Sequence, residues 1–144
     1  MNKFFEGKVK FRKVDGNGAY KQVTESYIID ALSFSEAESR FTKEMSEYIS
    51  EEFKIVNIKV TNLVEVHPSE GKDLWFKSKI SLLAYDETSG KEKRQNMYML
   101  VQADDAKEAY ESTVKIMGNS IGDYSVPAVS ETKIIDFFPY FIEA

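Results

Sequence analysis

Polar and apolar residues alternate from the first stretch of the chain. Phe5, Val9 and Phe11 are interleaved with Lys8, Lys10 and Arg12, a period of two that predicts a strand with one buried face. In the loop DGNGAY, Gly16 and Gly18 supply the positive φ that a hairpin favours, and Gly90 does the same in DETSGKEK. Return strands are predicted over about Val23 to Leu32 and Gln95 to Ala103. The period then becomes helical. Ser35 with Glu38, and Asp105 with Glu108, have capping-box spacing. Ala37, Phe41, Met45 and either Tyr48 or Ile49 share one helical face, as do Ala106, Ala109 or Tyr110, Val114 and Met117. Gly118 and Gly122 close the second helix, and third strands start near Lys54 and Ser125.

The same order occurs twice because the chain repeats itself. TNLVEVHP (Thr61 to Pro68) matches TKIIDFFP (Thr132 to Pro139) at a separation of 71 residues. At that separation Phe5, Val9, Phe11 and Asp15 match Phe76, Ile80, Leu82 and Asp86, and Tyr27-Ile28-Ile29 matches Tyr98-Met99-Leu100. SFSEAESRF and QADDAKEAY correspond at a separation of 69. Collinear anchors of this kind indicate internal duplication. The expected architecture is α+β, a duplicated ββαβ unit forming a mainly antiparallel sheet with two helices on one face. Residues 1–144 are expected to form a single domain of two repeats, about 1–70 and 71–144.

Composition agrees with a packed globule: 42% of the 144 residues are hydrophobic and 30% charged. No cysteine is present, which excludes disulfides and sulfur-based zinc sites, and His67 is the one histidine. The N-terminal stretch is too charged for a secretory signal, and no run reaches the length of a membrane helix. The expected location is the cytoplasm of a host cell or of a phage-infected cell, with no membrane partner and no cofactor. DGNG resembles no phosphate loop, because it leads into a strand and lacks a following lysine-hydroxyl pair. His67 precedes Pro68 and corresponds to Phe138, which favours packing over general-base chemistry. Glu65 and Asp136 occupy equivalent positions, but no partner groups accompany them as a reaction requires.

Charge is sorted along the chain. Lys3, Lys8, Lys10, Arg12 and Lys13 face Glu6 alone in the first strand, whereas the first helix and its exit carry Glu36, Glu38, Glu44, Glu47, Glu51 and Glu52 against Arg40 and Lys43. If Phe5, Val9 and Phe11 point inward, then Phe4, Lys8, Lys10 and Arg12 point away from the helices, and by the same parity so do Trp75, Lys77, Lys79, Leu83 and Tyr85. Three accounts fit such a face. Its cations solvate a half-exposed sheet whose aromatics are covered elsewhere; or exposed Trp and Tyr anchor a protein interface; or the rings stack on single-stranded nucleic acid while lysines neutralise phosphate. The pI near 5.0 stands against the last. After Asp136 come Phe137, Phe138, Pro139, Tyr140, Phe141 and Ile142. Proline ends the strand, and Tyr140, Phe141 and Ile142 are expected to pack over the outer sheet face or against another subunit.

YIIDALSFSEAESRF, DETSGKEKRQ, MLVQADDAKEA and VSETKIIDFF together resemble an uncharacterised family of small proteins from Bacteroides-type bacteria and their phages, a domain of unknown function. The resemblance covers nearly the whole chain and implies no activity, cofactor or catalytic residue. The expected function is non-enzymatic: a binding or assembly module whose outer sheet face and aromatic C-terminus contact a protein partner or another copy. The alternative is single-strand nucleic-acid binding.

Overall fold

Twelve-residue alternation builds the four long strands: β1 (Lys3–Val14), β2 (Tyr20–Ala31), β5 (Leu74–Tyr85) and β6 (Glu92–Ala103). Between them lie α1 (Phe34–Tyr48), β3 (Phe53–Val60) and β4 (Leu63–His67), and after them α2 (Ala106–Met117), β7 (Tyr124–Glu131) and β8 (Ile134–Phe138). The computed structural model describes residues 3–118 and 123–139. The protein is α+β, and its two four-stranded mixed sheets reflect a duplicated unit.

The unit carries one more strand than the hydrophobic pattern predicts. What reads as a single third strand is divided at Thr61 and again at Thr132, so each repeat runs ββαββ. The sheet orders are β3-β1-β2-β8 and β4-β6-β5-β7. β8 pairs in parallel with β2, and β4 in parallel with β6, while the other pairings are antiparallel. The last strand of each repeat therefore completes the sheet of the other. The compact units follow the sheets: unit 1 is residues 1–61 with 133–144, and unit 2 is residues 62–132. Instead of two helices on one sheet, each unit has its own helix.

The threonine at each crossing has a fixed task. Thr61 donates its N–H and its hydroxyl to the Phe4 carbonyl, both at 2.8 Å. Thr132 does the same to the Trp75 carbonyl at 2.9 and 2.8 Å. The double bond ties the end of β3 or β7 to its own sheet just before the chain leaves for the other unit.

Two alignments of the repeats shift to a separation of about 72 residues: Tyr27 answers to Met99, and the helix caps Ser33 and Asp105 answer to each other where a separation of 69 was expected. The second hairpin loop, residues 86–91, is one residue longer than the first, residues 15–19. Tyr27-Ile28-Ile29 thus corresponds to Met99-Leu100-Val101, not to Tyr98-Met99-Leu100, because a one-residue slip exchanges the faces of a strand. Of the first loop's glycines only Gly18 has positive φ, 80°. Asp15 closes that loop by accepting from the N–H groups of Asn17 and Ala19. In the second loop Asp86 accepts from Thr88 N–H and the Ser89 hydroxyl, and the first of these bonds holds its carboxyl below the usual range.

The first helix is capped two residues earlier than predicted. Ser33, not Ser35, accepts from Glu36 N–H at 3.2 Å, and Glu36 reaches back to Leu32 N–H. Asp105 and Glu108 form the expected cap on α2. Ala37, Phe41, Met45 and Ile49 are buried in unit 1 against Phe5, Val9, Tyr27 and Ile29. In unit 2 the buried helical positions are Ala109, Thr113 and Met117, while Tyr110 is exposed. The Thr113 hydroxyl lies 2.7 Å from that of Ser78 and separates the apolar core there into two clusters.

Tyr27 shows how β8 is seated. Its ring stacks on Phe138 with centroids 5.6 Å apart, and its hydroxyl donates to Glu25 Oε1 at 2.8 Å. Burial, then the Glu25 bond, pushes the phenol above its ordinary value. The unfolded chain releases this proton first, near pH 10, so stability falls as pH rises above about 10. Tyr27→Phe is expected to flatten the alkaline limb of a melting-temperature profile; an unchanged limb would assign that slope to other groups.

Candidate interaction face

Antiparallel pairing defines the sheet face turned away from each helix. In unit 1 Phe4 stands opposite Asp30, Glu6 opposite Ile28, Lys8 opposite Ser26, Lys10 opposite Thr24 and Arg12 opposite Gln22. β3 adds Lys54 beside Lys10, Asn57 beside Lys8 and Lys59 beside Glu6. In unit 2 the corresponding pairs are Trp75 with Gln102, Lys77 with Leu100, Lys79 with Tyr98, Leu83 with Arg94 and Tyr85 with Glu92. All eight face residues singled out in the sequence share this orientation within their own unit.

Burial divides each face into two ends. One end is apolar: Ile28 and Leu100 are fully buried, Phe4 is half-buried with its ring 6.0 Å from that of Phe137, and Trp75 is only 1% exposed. The exposed tryptophan anchor expected from alternation is therefore absent. Period-two alternation tells which face a side chain takes, not whether that face is covered. The other end is cationic. Lys10, Arg12 and Lys54 are exposed, with Lys8 half-buried beside the neutral Ser26 and Asn57. Lys10, Arg12, Gln22 and Lys54 line a hollow together with Glu51 and Glu52.

Unit 2 repeats the cationic end with aromatic rings added. Lys77 and Lys79 are half-buried, and the Lys77 ammonium lies 4.7 Å from the centre of the Tyr98 ring, a cation–π contact. Arg94 donates to the Ser81 hydroxyl at 3.5 Å. Tyr85 is 66% exposed and donates to Glu92, whose carboxylate raises the phenol's pKa. Lys54, Arg94 and Tyr98 were not found by sequence reasoning. Lys54 joins the patch through the β1–β3 register, and Tyr98 through the corrected register of β6.

Other sequence candidates take ordinary places. His67 lies 3.2 Å from Glu65 on β4, in unit 2. Asp136, in unit 1, accepts from Phe137 N–H at 2.8 Å. Among the described residues no three carboxylate or imidazole side chains group as a metal site requires, and no helix is long and apolar enough to cross a membrane. Tyr140, Phe141 and Ile142 lie outside the described residues.

This two-sheet chain can be set beside known families. The model of a family described as a domain of unknown function, DUF4494, matches residues 3–140. The chain belongs to this family. DUF4494 thus spans both repeats and both exchanged strands as one family unit. No match was found among curated proteins.

Proposed function

We propose that this DUF4494 chain is a non-enzymatic binding or assembly module that contacts a protein partner or another copy through the cationic end of its helix-averted sheet faces. The observation that carries this reading is the sorting of charge by face. Lys8, Lys10, Arg12 and Lys54 share one face of unit 1, while α1 exposes Glu38 and Glu47 on the other side of the same sheet. A surface of this kind complements the acidic helix of a second copy and steers its approach. The resemblance noted in the sequence favours a bacterial or phage-infected cell as the setting.

Light scattering over a range of protein concentrations, at low and at physiological salt, tests the reading. Mass is expected to rise with concentration at low salt and to stop rising when Lys8, Lys10, Arg12 and Lys54 are changed together to Gln. A monomer at every concentration and salt removes the self-assembly form. One observation favours a second reading, single-stranded nucleic acid: Lys77, Lys79, Arg94 and Tyr98 form a cationic and aromatic group on β5 and β6. Anisotropy of a labelled single strand would then show a binding constant whose logarithm falls linearly with log salt.

A further inference from the structure

β3 is an outer strand of its sheet, with β1 on one side, and among the described residues no strand pairs with its other side. Thr61 N–H donates inward, to the Phe4 carbonyl, and Val60 pairs with Phe5. Backbone groups alternate in direction along an antiparallel strand, so those of Ile58 and Val60 point away from β1. A row of this kind is a template for one more strand.

The second repeat shows the same edge closed. β7 is the outer strand beside β5, and Phe76 pairs with Glu131 as Phe5 pairs with Val60. By that register Ser125, Pro127, Ser130 and Glu131 on β7 stand where β3 has Lys54, Val56, Lys59 and Val60. The pairing passes over Pro127 in one sheet and over Val56 in the other. Burial follows one pattern along both strands, so the two edges differ in chemistry and not in exposure. Proline has no N–H and is one of the residues that keep edge strands unpaired. Val56 and Val60, 44% and 53% exposed, are β-branched residues suited to pairing.

α1 supplies a wall beside this edge. Phe34, Glu38 and Thr42 line a hollow with Val56 and Ile58, and Phe34 and Ile58 line a second one that reaches Lys59 and Val60. Lys54 and Lys59 stand on the helix-averted side of β3, and Lys59 approaches Glu6 only to 3.7 Å with 57% of its side chain exposed. Lys3 adds a third cation, and Glu38 is the one carboxylate among the described lining residues.

A strand laid on this edge presents alternate side chains to the two sides of the sheet. Apolar ones meet Phe34; acidic ones meet Lys54 and Lys59. The β3 of a second copy is unsuited, because antiparallel pairing centred between Val56 and Asn57 sets Lys54 against Lys59, and like charges directly opposite destabilise. We propose that the outer edge of β3 takes an extended partner peptide in which β-branched residues alternate with acidic ones, adding a strand to the unit 1 sheet. This edge is a different surface from the cationic face above. Val56→Pro leaves Lys8, Lys10, Arg12 and Lys54 in place, so either reading can fail alone.

Anisotropy of a labelled peptide of about six residues, valine alternating with glutamate, tests the assignment against the full chain. Binding is expected, together with slower hydrogen exchange at the amides of Ile58 and Val60. Val56→Pro, a residue that the second repeat already carries at this position, is expected to raise Kd about tenfold. Val60→Glu, which copies Glu131, is expected to act in the same direction by repelling the peptide's carboxylates, and serves if Val56→Pro loses its melting transition. No binding by the unmodified chain overturns the proposal, as do equal affinities in all three proteins or unchanged exchange at Ile58 and Val60. A dimer of the unmodified chain that Val56→Pro converts to monomer would assign the edge to a second copy and overturn it as well.

Discussion

Placing alanine at Gly7 is expected to destabilise the protein by about 1–3 kcal/mol, and truncating Phe41 to alanine by about 3–5 kcal/mol. A Cβ on Gly7 would lie 2.7, 2.8 and 2.9 Å from Cζ, Cε1 and Cε2 of Phe41. That ring is fully buried and cannot swing into solvent. The glycine exists because the phenyl ring needs the space over β1. In unit 2 the same two positions are Ser78 and Thr113, joined by a 2.7 Å hydrogen bond. One repeat has nothing under a large ring; the other has two small hydroxyl side chains. The swap Gly7→Ser with Phe41→Thr is therefore expected to cost less than its two single changes added together. Urea midpoints of the four proteins measure this coupling. Strict additivity would show that the two residues are not matched to each other.

Arg40→Ala is expected to cost about 1–3 kcal/mol. The guanidinium pairs with Asp30 Oδ1 at 3.3 Å, with only 18% and 15% of the two side chains exposed. It also donates to the carbonyls of Asp30, Phe138 and Pro139, the last at 3.0 Å. Its loss leaves a half-buried carboxylate and several acceptors without their donor. Hydrogen exchange gives the sharper measurement, because among the described residues β8 is an edge strand paired with β2. Amides of Ile134 to Phe138 are expected to lose protection more than those of β1. Equal loss in both strands would sink the view of Arg40 as the clasp of β8.

Much of the fold was legible in the sequence because its cause is local. Phe5, Val9 and Phe11 against their lysines set β1, and Ala37, Phe41 and Met45 set the buried face of α1. The first helix cap was ambiguous for a concrete reason: Ser33 and Ser35 each have a glutamate three residues on, and the end of β2 at Ala31 decides between them. The identity of Tyr27 and Tyr98 was misleading. Register puts Tyr98 opposite Lys79, on the helix-averted face, while Tyr27 lies in the core. Strand exchange left no local mark, because LVEVH and IIDFF read as strands whichever sheet they join. The burial of Trp75 was likewise invisible to alternation. At the candidate face, the eight residues were assigned their orientation correctly, but Lys54, Arg94 and Tyr98 enter only through pairing between distant segments.

The crossing of β4 and β8 makes the two units unequal during synthesis. Unit 2 is one continuous stretch, residues 62–132, so every strand of its sheet has been made once β7 is complete. Unit 1 has β1, β2, α1 and β3 early, but its fourth strand is the last of the eight in chain order. During that interval β2 presents an unpaired edge, with Ser26 to Ile29 awaiting β8, and long-range closure of this kind is slow. The N-terminal half of the chain, although made first, is the half whose sheet lacks its fourth strand until β8 is synthesised, and a nascent β2 edge is where a second copy's β8 could pair by mistake.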